Sequence, residues 1–63
     1  MINKIYTGWV LDIAGREWTV KGTNKFRKTT WYILESGEDR RSIDREQLLQ
    51  RLNSGCIKYI KSV

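Results

Sequence analysis

Residues 43–55 constrain the fold of this chain most strongly, because they carry the local signals of one short helix. Asp44 is a candidate N-cap, and Gln47 follows at the spacing of a capping box. One apolar stripe of helical spacing is formed by Leu48, Leu49 and Leu52. Gly55 stands where a left-handed C-terminal cap is needed. We therefore predict a single helix that starts after Asp44, with Ser42 as the competing N-cap.

The rest of the chain has the patterns of strands and turns. Alternation and strand-favouring composition predict strands at residues 6–13, 17–22, 29–35, 40–43 and 56–63. Ala14-Gly15 predicts a tight turn after the first strand, and residues 36–39 predict another. Residues 22–30 are predicted to form either a polar loop or a flared hairpin tip.

This element order, β-β-β-(β)-α-β, predicts an α+β fold. One domain is expected for 63 residues, spanning residues 1–63. A helix on one face of a small antiparallel sheet of four to five strands would bury the apolar faces of both. The sheet can also curl further, so an SH3-like barrel is the alternative.

Cysteine and histidine usage limits the chemistry of the chain. Cys56 is the only cysteine, so we expect no disulfide, a small core residue and a reducing, cytoplasmic location. There is no histidine, so serine and cysteine lack their usual catalytic base and zinc lacks its usual ligand set. We expect no enzyme, no metal and no cofactor, with a carboxylate-only hydrolase as the catalytic alternative. No apolar run is long enough to span a membrane, so no membrane partner is expected.

The net charge of +5, from 12 basic and 7 acidic residues, favours a polyanionic partner, with solubility as the plain alternative. Four cations fall within eight residues that contain no acid: Lys21, Lys25, Arg27 and Lys28. Such cations neutralise phosphates and release counterions. Phe26 lies among them, placed to stack on a base or wedge into a groove. The structural alternative is a solvated tip with Phe26 tucked back onto the sheet.

A second group of cations consists of Arg40, Arg41 and Arg45. Arg45 lies in the predicted first helical turn, where a cation is mildly unfavourable against the helix dipole, so a phosphate contact would explain it. The structural alternative is pairing with a nearby acid: Glu38, Asp39 or Glu46. If both groups lie on one side of the sheet, they form one positive surface.

The aromatic residues divide into expected core rings and expected surface rings. At least two of the three tryptophans are predicted to be buried: Trp9, Trp18 and Trp31. The better candidates for exposed rings are Tyr6, Tyr32 and Tyr59. An exposed aromatic face flanked by lysine and arginine suits nucleic acid, and it suits a protein partner equally.

Residues 31–63 resemble a pattern in small orphan proteins of phages and mobile elements, where a strand pair, a capped helix and a last strand follow one another. The matching positions are core and capping residues: Ile33, Leu34, Ile43, Leu48, Leu49, Leu52, Gly55, Ile57 and Ile60. This resemblance covers about the C-terminal half of the chain. It implies such an origin and an α+β fold, and it implies no site.

The chain is also similar in arrangement to the arm-binding domains of phage and transposon integrases, which place a three-stranded sheet before one helix. The matching features are strands 16–22 and 29–35, the basic turn EDRRS and the helix after it. The first and last strands depart from that plan. Because those domains read DNA through the sheet, the similarity implies DNA binding.

These observations together predict a small basic nucleic-acid-binding protein of phage or mobile-element origin, with DNA favoured over RNA. It would contact phosphates through the basic hairpin loop, as a monomer or a homodimer. The alternative is a protein-interaction module that binds and modulates a host or phage protein. That module would use exposed sheet aromatics or an unpaired strand edge.

Overall fold

The computed structural model describes residues 1–63, and it consists of five strands with one helix before the last strand. The elements are β1 (Trp9–Ile13), β2 (Arg16–Phe26), β3 (Thr29–Ser36), β4 (Asp39–Asp44), α1 (Arg45–Ser54) and β5 (Ile57–Ser62). The predicted α+β order is confirmed, including the short fourth strand. No helix in the structure has the length and apolar character needed to cross a membrane.

All five strands belong to one antiparallel sheet with the order β4-β3-β2-β1-β5. The first four strands pair with their neighbours along the chain, and β5 returns to pair with β1. The helix α1 connects the two outer strands. Because β4 and β5 do not pair with each other, the sheet is not closed.

β2 is the longest strand, and a bulge interrupts it. Residues 16–19 pair with β1 and residues 19–26 pair with β3, and the register with β3 shifts between Val20 and Gly22. Strand pairing continues to Phe26, so the flared hairpin, not the polar loop, is the form of this region. Only Arg27 and Lys28 remain as the turn.

α1 begins and ends where its capping residues predict. Asp44 has an extended backbone, and its Oδ1 atom accepts a hydrogen bond of 2.8 Å from the Gln47 amide. This contact satisfies one of the amides that a first helical turn leaves unpaired. Gly55 is left-handed with φ of 89°, which glycine adopts without a Cβ clash. Ser42 is not the cap, because it pairs with Ile33 within the sheet.

The core lies between α1 and one face of the sheet. Leu48 and Leu52, one helical turn apart, supply the helix side, with Leu48 fully buried. Alternate residues of the strands supply the sheet side, as the two-residue period of a strand requires. The cluster as a whole comprises Ile5, Leu11, Trp18, Val20, Tyr32, Leu34, Leu48, Leu52 and Ile57.

The first residues of the chain pack against α1. The Asn53 side chain accepts from the Ile2 amide and donates to the Ile2 carbonyl, both at 2.8 Å. Arg45 donates to the Asn3 carbonyl at 2.8 Å, and Ile5 is buried in the core. The predicted first strand is therefore shorter than residues 6–13, since pairing begins at Trp9.

Three predictions about burial are wrong. Trp18 is buried, whereas Trp9 and Trp31 are only half-buried, so one tryptophan and not two is buried. Tyr32, expected as an exposed ring, is 7% exposed because it lies on the face of β3 that α1 covers. Cys56, expected in the core, is exposed just after the helix cap.

Candidate nucleic-acid interface

The β2–β3 hairpin ends in a two-residue turn made of two cations. Phe26 and Thr29 form the last cross-strand pair, and Arg27 and Lys28 connect them. Both turn residues have a left-handed backbone, with φ of 51° and 66°. Two positive φ angles in succession match the twist of a hairpin, and asparagine–glycine is the usual choice. Other side chains adopt this geometry at a cost of roughly 1–2 kcal/mol per residue.

The β2–β3 turn carries this strain at two residues, whereas the β1–β2 turn carries it only at Ala14, with φ of 54°, and the β3–β4 turn at no non-glycine residue. The β1–β2 turn pairs Ala14 with Gly15, and the β3–β4 turn has Gly37 in the left-handed position. Each of those turns thus contains a glycine, and only the β2–β3 turn has two long charged side chains in left-handed geometry. Backbone strain of this kind tends to be retained at functional sites.

Phe26 is exposed at the hairpin tip. Phe26 is 60% exposed, so its ring is not tucked back onto the sheet. The guanidinium carbon of Arg27 lies 5.2 Å from the centroid of its ring, a cation–π contact. The tip therefore presents an aromatic ring and a guanidinium together to solvent.

The cations of the hairpin have no acidic partner. The structure contains two ion pairs, Arg16–Asp39 and Arg40–Glu35, each with a nitrogen–oxygen distance of 2.6 Å. Neither pair involves the exposed hairpin cations, which are Lys21, Lys25, Arg27 and Lys28. These four charges are therefore available to an anionic ligand without the loss of an existing pair.

Arg40 and Arg41 are not brought next to the hairpin tip. Arg40 pairs with Glu35 across the strands and donates two hydrogen bonds to its carboxylate, at 2.6 and 3.0 Å. Arg41 is next in β4, and its guanidinium lies 5.6 Å from the Trp18 ring. At about 3.3 Å per strand residue, Glu35 is roughly 20 Å from Thr29 at the tip. Lys25, Arg27 and Lys28 therefore lie at one end of β3, whereas Arg40 and Arg41 lie towards the other.

Arg45 is the member of the second group that lies near the tip. β4 ends at Asp44, which pairs with Trp31 close to the start of β3. Residues 28–31 and 44–46 line one open groove of about 480 Å³. Lys28 and Arg45 thus belong to the same groove, although 16 positions separate them in the sequence.

Sequence reasoning did not identify the middle of this groove. The sequence predicts only a strand at Thr29, Thr30 and Trp31. These residues line a groove only because other parts of the chain lie beside them. The register of β3 with β4 places the helix start next to them. The presence of two hydroxyl groups and an indole ring between cations is therefore a tertiary feature.

A separate row of rings lies beside β5. The ring centroids of Tyr6 and Trp9 are 5.7 Å apart, and those of Trp9 and Tyr59 are 4.8 Å apart. Tyr6 and Tyr59 are 56% and 45% exposed, which confirms two of the three tyrosines predicted at the surface. The Tyr59 hydroxyl lies 2.7 Å from Ser62 Oγ, so this ring is held in place.

Comparison with known protein families, curated proteins and solved structures finds no significant match to this chain. No group of three or more His, Cys, Asp or Glu side chains is arranged to hold a metal ion. The groove and tip offer cations, hydroxyl groups and aromatic rings, which suit an anionic ligand that also carries rings.

Proposed function

We propose that this protein binds nucleic acid through the tip of its β2–β3 hairpin. The observation that carries the proposal is an exposed Phe26 set among three unpaired cations on a strained turn. Lys25, Arg27 and Lys28 would bind phosphates, each releasing counterions. Phe26 would stack on a base or enter a groove. DNA is favoured over RNA by the similarity to integrase arm-binding domains.

Two further cations would extend this interface. Arg45 lines the groove beside Lys28, and Lys21 lies at the bulge of β2, about 17 Å before the tip at 3.3 Å per residue. Arg40 and Arg41 stand outside the proposed interface, since Glu35 and Trp18 already engage them. Three phosphate contacts from Lys25, Arg27 and Lys28 and one from Arg45 make four. The logarithm of the duplex binding constant should then fall as the logarithm of the salt concentration rises, with a slope of about −3.6.

We also propose an origin and a cellular location for this protein. The resemblance of residues 31–63 to phage and mobile-element proteins supports an origin in a phage or mobile element, and a single free cysteine supports a cytoplasmic location.

We also propose that the sheet curls into an SH3-like barrel. This proposal is supported by the bulge in β2 between Val20 and Gly22, because bulges bend a strand and increase its twist.

Charge reversal at the tip tests the proposed function. Fluorescence anisotropy of a labelled DNA duplex, single-stranded DNA and RNA would be measured at several salt concentrations. The double variant Lys25→Glu with Arg27→Glu should abolish binding. A matched control, Lys4→Glu with Lys61→Glu, changes two exposed lysines and lowers the net charge from +5 to +1 in the same way. The control should retain most of the affinity. An equal loss in both variants would mean that overall charge, and not the tip, determines binding.

Protein binding is the second candidate function, and the aromatic row favours it. Tyr59 lies on the edge strand β5, with Trp9 on the neighbouring strand β1 and Tyr6 just before it, and aromatic rings dominate protein-binding hot spots. Pull-down from a host lysate, followed by analytical ultracentrifugation for a homodimer, tests this function. Tyr59→Ala should release the partner, and the charge-reversed tip should keep it. The opposite pattern would exclude this row of rings as the contact.

A further inference from the structure

We propose that the ligand is single-stranded nucleic acid, with one nucleotide in the groove between residues 28–31 and 44–46 and the next base on Phe26. This inference rests on the proposed function and adds the strand state of the ligand. The placement of two rings, Phe26 and Trp31, supports it, as do the size and charge of the groove.

Phe26 and Trp31 lie on the same face of the hairpin. Phe26 is opposite Thr29, and Trp31 lies two residues further along β3, where side chains return to the same face. Diagonal neighbours of this kind are about 7–8 Å apart. Adjacent bases in a duplex rise by only about 3.4 Å. The two rings are therefore spaced for successive bases of an extended, unstacked strand.

The groove has the size and the donors for one nucleotide. Its volume of about 480 Å³ lies within the roughly 300–1,000 Å³ usual for ligand pockets. Trp31 is half-buried, so part of its indole ring is accessible to a base. Arg45 is positioned by its hydrogen bond of 2.8 Å to the Asn3 carbonyl, and its remaining N–H groups are free for a phosphate. The hydroxyl groups of Thr29 and Thr30 add donors for phosphate or sugar.

Two carboxylates orient the nucleotide. The Oδ1 atom of Asp44 accepts the Gln47 amide and is committed to the helix cap. Asp44 and Glu46 take part in neither ion pair, so both would repel a phosphate. A phosphate would therefore lie where Lys28 and Arg45 can both reach it, with the base directed at Trp31. The amino group of a base would be tolerated beside Glu46, because a carboxylate accepts such donors.

A duplex fits these features less well. Its bases are stacked on one another, so neither ring gains a base face unless a step is opened. The cations alone would serve a duplex as well as a single strand. Ring stacking is thus the property that distinguishes the two ligands, and it is measurable apart from charge.

The test uses one labelled sequence of about ten nucleotides, alone and annealed to its complement, as DNA and as RNA. At one salt concentration, the single strand should bind at least about tenfold tighter than the duplex. Phe26→Ala should weaken single-strand binding about 5- to 150-fold and leave the salt slope unchanged, since no charge is lost. Tyr59→Ala removes a similarly exposed ring at the other edge of the sheet and should change nothing.

Trp31 provides a second readout. Trp31→Ala should weaken single-strand binding and Trp31→Phe should restore most of it, with circular dichroism used to verify folding of both variants. Duplex binding as tight as single-strand binding, or a neutral Phe26→Ala, would overturn this inference and leave nucleic-acid binding in place. Failure to bind any of the four ligands at low salt would overturn the proposed function as well. The DNA and RNA samples identify which kind of strand is preferred.

Discussion

The guanidinium carbon of Arg27 lies 5.2 Å from the centroid of the Phe26 ring, while the backbone of Arg27 is left-handed with φ of 51°. The same residue therefore carries strain in its backbone and covers a ring with its side chain. Lys28 completes the turn with φ of 66°. A turn chosen for stability alone would place asparagine and glycine at these two positions.

Replacing the turn should separate stability from binding. Arg27→Asn with Lys28→Gly should raise the free energy of unfolding by about 1–2 kcal/mol in total, because the relief of strain at two left-handed residues is partly offset by the greater freedom of glycine in the unfolded chain. The same change should reduce the salt slope of duplex binding by about 1.8, since two phosphate contacts are lost. Urea denaturation and anisotropy titrations measure the two effects. Ala14→Asn at the β1–β2 turn is the control: it leaves nucleic-acid binding unchanged.

Position along β3 should determine which cations contribute to binding. Lys25→Gln should reduce the salt slope of duplex binding by about 0.9, whereas Arg40→Gln should leave that slope unchanged. Both substitutions remove one positive charge, so the comparison isolates location. Arg40→Gln should also lower the free energy of unfolding by about 0.2–1 kcal/mol, because the exposed pair with Glu35 is lost. An equal fall in slope for both variants would contradict an interface at the tip.

Replacing the two acids at the start of α1, Asp44 and Glu46, should have different effects on stability. Asp44→Ala should lower the free energy of unfolding by about 1 kcal/mol, because the Gln47 amide loses its partner. Glu46→Gln should change stability by about 0.5 kcal/mol or less, since it removes only a favourable interaction with the helix dipole. It should strengthen nucleic-acid binding by removing repulsion in the groove. Weaker binding by Glu46→Gln would contradict repulsion between Glu46 and a phosphate in this groove.

The contact between helix and sheet should dominate stability. Leu48 is fully buried, and Leu48→Ala should lower the free energy of unfolding by about 2–5 kcal/mol. A domain of this size has little stability in reserve, so the variant should be largely unfolded by far-ultraviolet circular dichroism. Ile60→Ala, at a residue that is 41% exposed on β5, should change the free energy of unfolding by less than about 0.5 kcal/mol. A Leu48→Ala variant with an unchanged free energy of unfolding would contradict a dominant contribution of this contact.

Local signals in the sequence predicted those elements whose physics is local. The ends of α1 follow from an N-cap side chain and a left-handed glycine, both of which act within one turn. The strand of residues 29–35 follows from its composition and lies within β3 as observed. The hairpin was ambiguous, because the strand character of residues 22–26 comes from pairing with β3 and not from their own polar composition.

Burial could not be predicted residue by residue, since it depends on which sheet face α1 covers. Tyr32 was expected at the surface and is in the core, because β3 presents that face to the helix. Cys56 was expected in the core and is exposed, because the chain has not yet rejoined the sheet at that point. The side chain of each of these two residues is compatible with a buried position and with an exposed one.

The sequence by itself determined the α+β element order, the limits of the helix and the concentration of cations between residues 21 and 28. The tertiary structure alone decided which charges lie together. β4 runs antiparallel to β3, so Arg40 is carried to the far end of β3 and Arg45 is returned to the tip. The groove beside Trp31 exists for the same reason: strand pairing brings distant residues side by side in a register that no local signal specifies.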